Sequence, residues 1–406
     1  MASSPAITKT ENFQVVYLGE NGFPIGFGAI QKLIMVSKAL IEEGADVTVI
    51  NRKGNFDPDK PVNIALQGNF EGIDYVYTSR SIYRPKGFFK RNIQKVKGIY
   101  KEFQYLRKLR KNDQLDAGII SCYHLGQVTL YRLYGYFLKF PVVYNYVEMA
   151  QVLDNRRALS LKINDYLFER FLIPSMDGAF PISEVLVNHY KKIAPNKKML
   201  KLPILCEFEK FDIKVEKQNR DFFLFCGALS YQETIDFVLD AYDLLPKDNP
   251  VDLHLILGGG TDEEYQKLLT HIKKLKKGSQ IKVFHNVRHS EIPKHYKPAK
   301  GLLIPMRPTL QDAARFPHKI GEYVASGNPM ISNNFGEVAC YFKDGETALV
   351  AETYTIEDFA SKMKFVLDNP EVAKRIGEQG KILGLKAFNH LTYGPKILAF
   401  LKALAR

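Results

Sequence analysis

Short apolar runs alternate with amphipathic segments along this chain, and the alternation begins twice. The first start is Phe13-Gln14-Val15-Val16-Tyr17-Leu18, followed by the loop Gly22-Phe23-Pro24-Ile25-Gly26-Phe27-Gly28. Leu33, Val36 and Leu40 then recur at helical spacing, Gly44 ends that segment, and residues 46–50 (Asp-Val-Thr-Val-Ile) read as a second strand. Further strands are expected at 117–121, 141–144, 178–181 and 199–202. A polar, charged stretch over residues 207–220 reads as a linker. The pattern restarts with Phe222-Phe223-Leu224-Phe225 and Gly227, then 253–257, 282–284, 301–304 and 329–332. Strands alternating with helices predict α/β architecture with parallel sheets. A length of 406 residues suits two domains better than one core. The expected division is a first domain over 1–207, a second over 208–390, and a helix over 391–406. That helix is apolar on one side and is expected to pack back toward the first domain.

Charge narrows the class of partner. The formal net charge is +13, which favours an anionic partner: a phosphorylated ligand, a membrane surface or nucleic acid. Residues 86–111 concentrate it: Lys90, Arg91, Lys95, Lys97, Lys101, Arg107, Lys108, Arg110 and Lys111 accompany a single acid, Glu102. Phe89, Ile93, Val96, Tyr100 and Phe103 recur there at helical spacing. A basic amphipathic helix suits an anionic lipid surface; a core-facing stripe with a solvated basic back is the alternative. No RRM, KH or zinc-finger pattern accompanies the charge, so nucleic acid is not expected. The four cysteines are scattered without a CxxC pair, as in a reducing compartment. Residues 1–11 are polar, and no run approaches the roughly 18 apolar residues of a membrane span. A cytoplasmic protein, peripheral on the membrane's inner face, is the expectation.

Three features could carry chemistry. A glycine loop between strand and helix lets backbone N–H groups approach phosphate, but Gly22–Gly28 has neither a P-loop ending nor a clean GxGxxG, so a plain turn stays open. In the segment Phe316-Pro317-His318-Lys319-Ile320-Gly321-Glu322, Pro317 suits a first helical turn. Arg315, His318 and Lys319 place donors there, and Glu322 could hold two ribose hydroxyls; an ordinary Lys–Glu surface face is the alternative. His124 follows the strand 117–121, on the side of an α/β sheet where ligands bind; a capping histidine is the alternative. No paired metal spacing occurs.

The segment 316–336 resembles retaining glycosyltransferases of family 4, with Pro317, Lys319, Glu322, Tyr323, Ala325, Gly327, Pro329 and Gly336-Glu337 in the family's positions. Ile182-Ser183-Glu184, the stretch 203–211 (Pro-Ile-Leu-Cys-Glu-Phe-Glu-Lys-Phe) and Gly227-Ala228-Leu229 extend the likeness. The resemblance implies a GT-B fold, two Rossmann-like doubly wound domains with an interdomain cleft, acceptor on the first and donor on the second. It implies a UDP- or GDP-sugar donor, a glycan or lipid-linked acceptor, and neither metal nor cofactor. Glu322 would bind the ribose. Lys319 and the backbone of Gly336, Glu337 and Val338 would hold diphosphate and sugar, with Gly227, Arg315 and His318 nearby. His124 would lie against the sugar's reacting face, and the Gly26–Gly28 loop would close over the diphosphate or meet the acceptor. The chain departs from the family at Ala228, Glu233 and Ala314, where cations and an acid are usual. Arg307, Arg315 or Lys319 would have to supply the missing positive charge. These departures leave room for a non-catalytic sugar-nucleotide or membrane-binding protein; a sugar-nucleotide epimerase of the same shape is a further alternative.

Overall fold

The computed structural model describes residues 12–26, 28–153, 158–215, 219–246 and 251–405. Residues 1–11, Phe27 of the glycine loop and 216–218 of the linker stretch lie outside the described residues. The first sheet holds β1 (Gln14–Leu18), β2 (Asp46–Asn51), β3 (Gln67–Phe70), β4 (Ile73–Tyr77), β5 (Ala117–Ile120), β6 (Val142–Tyr146), β7 (Gly178–Pro181) and β8 (Lys198–Met199). Their order is β3-β4-β2-β1-β5-β6-β7-β8, parallel except for the β3–β4 pair. The second sheet holds β9 (Phe222–Ala228), β10 (Asp252–Gly258), β11 (Ile281–His285), β12 (Gly301–Ile304), β13 (Met330–Asn333) and β14 (Leu349–Ala351), in the order β11-β10-β9-β12-β13-β14, all parallel.

In the first half the helices are α1 (Gly28–Glu42), α2 (Phe88–Lys111), α3 (Leu125–Leu138), α4 (Leu159–Leu167), α5 (Ile173–Ser175) and α6 (Glu184–Ile193). In the second they are α7 (Gln232–Asp243), α8 (Asp262–Ile272), α9 (Ile292–Tyr296), α10 (Leu310–Ala314), α11 (Lys319–Ser326), α12 (Gly336–Tyr341), α13 (Ile356–Asp368), α14 (Pro370–Ala387) and α15 (His390–Ala405). Among the described residues no helix is long and apolar enough to cross a membrane.

Each sheet is doubly wound. β1 lies between β2 and β5, and β9 between β10 and β12, so each chain direction reverses beside the first strand. A crevice opens at the carboxyl ends of the strands at such a point. The expected two-domain α/β architecture is the one adopted. Two elements were not legible: the β3–β4 hairpin, whose Gln-Gly-Asn-Phe strand is a polar edge, and the three-residue β14. The hairpin turns on Glu71 and Gly72, both at positive φ, as a tight two-residue turn requires. β8 is shorter than the strand expected over 199–202. Beyond it the chain stays tied to β7 through Leu200 N to Ala179 O (3.0 Å) and Leu202 N to Pro181 O (2.9 Å).

The two halves share one apolar cluster that runs from Val16 and Tyr144 through Ile204, Phe208 and Phe388 to Tyr323 and Val350. The chain crosses between halves at 203–211 and again at 388–390. There Cys206 N donates to Phe388 O (2.8 Å) and His390 N to Cys206 O (3.2 Å). α15 then lies against α1, so close at Gly394 that a Cβ would stand 2.4 Å from Ala39 O. Phe400 packs on Phe180 at 5.2 Å.

α11 is held from behind by α14 and its glycines. A Cβ at Gly377 would stand 2.5 Å from Gly327 O, and one at Gly384 would stand 2.6 Å from a Val324 methyl. Gly to Ala in a helix interior ordinarily stabilises by about 1 kcal/mol. Here the clash should reverse the sign, and Gly377→Ala is expected to cost about 1–3 kcal/mol in chemical denaturation. A stabilised variant would show that α14 retreats from α11 freely.

Candidate functional site

The cleft lies between α1 of the first half and α11 of the second. Gln31 and Met35 from α1 face His318 and Glu322, with Glu207 and His289 at the sides, around a gap of about 30 Å³. That is room for about one water.

α11 starts at Lys319, two residues later than a helix opening on Pro317. Bonds from Ile320 N to Pro317 O and Gly321 N to His318 O (both 3.0 Å) tighten the entry instead. Glu322 therefore sits in the first turn, its side chain 15% exposed, with Oε1 2.9 Å from His289 Nε2. The Tyr296 hydroxyl donates to Oε2 at 3.4 Å. Burial pushes His318 down to about 3, helped by Lys32, Lys319 and His289. It is thus a neutral ring at physiological pH, which keeps a single N–H donor at the helix start.

Lys32 was not singled out from sequence. It is buried at 1% exposure on the largely apolar face of α1. Its Nζ donates to Leu202 O at 3.4 Å. Burial pulls it down to about 7. The available signal was a lysine set among Ile30, Leu33 and Ile34.

Charge near α10 is arranged differently from expectation. Arg307 pairs with Glu233 (3.0 Å) and with Asp312 (3.0 Å). Arg315 pairs with Asp312 at 2.8 Å and donates to the Tyr231 hydroxyl at 3.1 Å. Two cations thus meet two acids, and Arg307 and Arg315 are not the spare charge they were expected to be. Asp312 is buried and is the acid nearest in sequence to Ala314. Among the described residues Lys319 has no ion pair.

Gly336 opens α12 at φ 55, where a Cβ would sit 3.2 Å from Asp312 O. The backbone N–H groups of Gly336, Glu337 and Val338 lie in the first helical turn, which has no intrahelical acceptors. The Glu337 side chain is committed elsewhere: Oε1 accepts from Glu184 N at 2.6 Å and Oε2 pairs with Lys201 at 2.8 Å. Ser183 Oγ donates to Ala314 O at 2.6 Å alongside. These contacts join the two halves.

On the first half, Asn51 Oδ1 accepts from Gly22 N (3.0 Å) and Phe23 N (3.2 Å), shaping the glycine loop. Gly26 packs where a Cβ would stand 2.4 Å from Ile30, and Gly28 is the first residue of α1. Gly227 lies near the end of β9, opposite Leu257 of β10. His124 is the exposed N-cap of α3, beside Tyr123. It is on the strand-end rim but does not line the gap around Glu322. Glu20, at the end of β1, also escaped the sequence reading; burial pushes its carboxyl up to about 7.

A family model described as glycosyl transferases group 1 matches residues 207–382. An uncharacterized glycosyltransferase of Methanocaldococcus jannaschii is 26% identical over 170 residues, 42% of this chain; the match spans 45% of that relative, less than half its length. Among solved structures, sucrose-phosphate synthase from Thermosynechococcus elongatus superposes with a TM-score of 0.73 at 14% identity, covering 96% of this chain and 99% of that one. The Anabaena protein HepE in complex with UDP-glucose superposes at 0.66 and 11% identity, covering 97% and 100%. The chain has the GT-B fold shared with these solved structures, and residues 207–382 in its second half are similar to the glycosyl transferases group 1 family.

Proposed function

We propose that the chain is a retaining, metal-independent glycosyltransferase of family 4 type. It moves a sugar from a UDP- or GDP-sugar to a glycan or lipid-linked acceptor in cell-envelope polysaccharide synthesis, at the cytoplasmic face of a membrane. The observation that carries the reading is Glu322. It is a half-buried carboxylate in the first turn of α11, inside the interdomain gap and within the family match. There it would accept the two ribose hydroxyls in place of His289. Lys319 and the first-turn N–H groups of α12 would hold the diphosphate, with Gly227, Arg315 and His318 around it and the Gly26–Gly28 loop closing from the other half. Preorganised donors of this kind stabilise developing charge on a leaving group without reorganising. The acceptor hydroxyl oxygen would attack the anomeric carbon from the face the diphosphate leaves. Its proton would pass to the departing phosphate oxygen, with His124 on the acceptor rim. The UDP-glucose complex of the HepE relative supports a nucleotide-sugar donor. A non-catalytic sugar-nucleotide binder is the second reading, favoured by the neutralised Arg307–Asp312–Arg315–Glu233 group; it binds donor without turnover.

Membrane contact is proposed through residues 86–111. Most of the apolar row faces away from the core: Phe89 is 80% exposed, Val96 67% and Tyr100 59%, while Phe103 at its end packs on Tyr134. α2 packs instead through Gly98, Leu106, Leu109 and Glu102. Glu102, the one acid of the segment, is buried against Arg52 at 2.6 Å, so the exposed face of α2 carries cations and apolar side chains with no carboxylate of its own.

Three outcomes are expected. In thermal shift against UDP-, GDP-, CMP- and ADP-sugars, one nucleotide class should stabilise the protein, by about 2.7 kcal/mol at 100 times its Kd. Glu322→Ala should lose that shift; no shift with any donor overturns the site. Lys32, near neutral alone, should become charged opposite bound diphosphate. Calorimetry of donor binding at pH 8 should therefore register proton uptake, as buffer-dependent heat, that Lys32→Met abolishes. Uptake that persists in the variant removes Lys32 from the site. Phe89→Ser with Val96→Ser should reduce sedimentation with phosphatidylglycerol vesicles several-fold, and equal sedimentation rules out this face.

A further inference from the structure

A second cavity, of about 270 Å³, opens on the first domain away from the α1–α11 gap. Its walls carry Lys53 from the loop after β2, Arg84 from the stretch after β4, and Arg91 and Lys95 one turn apart on α2. Among the described residues none of these four has a carboxylate partner. The Arg91 guanidinium donates from Nε to Gly87 O at 3.2 Å. The nearest acid of α2, Glu102, is spent on Arg52, and Asp59 pairs with Lys86. Burial, then Lys95, Arg84 and Arg52, pull Lys53 down; every charge named there is of the same sign.

The cavity is held in shape by backbone. Gly54 packs so tightly on Tyr83 that a Cβ would stand 2.1 Å from its carbonyl oxygen. Gln94 Nε2 donates to the same oxygen at 3.0 Å, which ties α2 to the wall. Lys53 N donates to Asn21 Oδ1 at 3.2 Å, which joins the cavity to the start of the glycine loop. The cavity therefore lies on the strand-end rim of the first sheet, beside the loop between β1 and α1. Clustered cations repel one another and are relieved by a multivalent anion that each can contact.

We propose that this cavity is a binding site for the phosphate or diphosphate group of the acceptor. Only the word acceptor rests on the glycosyltransferase reading; the anion site stands on the cavity and its four cations. Phosphate oxygens match guanidinium forks bidentately, and Arg84 and Arg91 supply two from different elements. A soluble sugar phosphate and a lipid-borne phosphate share this chemistry. Phe88, in the cavity wall and 71% exposed, adjoins the apolar row of α2 and is placed to meet the chain of a lipid-borne one.

The test uses the full chain with UDP in excess to occupy the other cleft, comparing wild type with Lys53→Gln/Arg91→Gln. The probes are inorganic pyrophosphate, by calorimetry, and phosphatidylcholine vesicles with or without phosphatidic acid, by sedimentation. Wild type should bind at least one anionic probe, with affinity falling as salt rises, and the double variant should bind it about tenfold more weakly or worse. Pyrophosphate binding identifies a soluble source of the group; binding only to phosphatidic acid vesicles identifies the lipid-borne source. Wild type binding neither probe, or both proteins binding equally, overturns the proposal. UDP-sugar binding, read separately by thermal shift, should be unchanged in the double variant. Its absence from both proteins would count against the donor site and not against this one.

Discussion

The geometry of the cleft depends on the place where the chain crosses between its halves twice. Cys206 bonds to Phe388 and His390 there through backbone groups, and Phe208 and Phe388 fill the space beneath within one continuous apolar cluster. Because α15 returns to lie on α1, the α14–α15 segment grips both halves: α14 sets the depth of α11, and α15 sets the position of α1. Glu322 and Lys32 belong to these two helices. A shift of either helix changes the gap between Glu322 and the Gln31–Met35 face of α1, so packing far from the cleft decides the distance across it.

Charge across the cleft is partitioned rather than pooled. Asp312 and Glu233 absorb Arg307 and Arg315, Glu337 absorbs Lys201, and burial keeps His318 neutral and Lys32 near neutrality. This leaves Lys319 and the opening turn of α12 as the standing positive features beside Glu322. A site with little standing cation repels little when empty, and positive charge would appear there if a bound anion drew a proton to Lys32. The first-domain cavity works the other way. Its four cations stand exposed or half-exposed, where water and salt screen them.

Much of the fold was legible because apolar strands and helical periods repeat along the chain, and each strand buried on both faces announces itself as an unbroken run such as Phe222–Phe225 or Leu253–Leu257. β3 was not legible because an edge strand has no such run. Within the candidate site, Glu322 and Lys319 were legible as candidates from their own segment, and Gly336 through the family resemblance. Lys32, His289 and Glu20 were not, because each acquires its character from burial or from a partner distant in sequence. The same cause misassigned Arg307 and Arg315 as spare charge, since Asp312 serves both only after α10 folds. Glu102 shows the limit from the other side: as one acid among many bases it reads as a diluted surface charge, yet folding removes it to pair with Arg52.

That removal explains how the net charge of the chain is distributed. By burying its one carboxylate, α2 presents no acid outward, and the same pair ties the helix to Arg52 at the end of β2, next to Lys53. The buried ion pair would be costly on energetic grounds alone, since desolvating both partners offsets much of their attraction. Its structural consequence is specific: Gly98 lets α2 approach Arg52 so closely that a Cβ there would stand 2.4 Å from the Arg52 carbonyl oxygen. Lys53 and the Arg91–Lys95 turn then share one cavity. The Arg52–Glu102 pair therefore sets the register between the β2 loop and the basic helix, and anion cavity and apolar row are two faces of one positioned element.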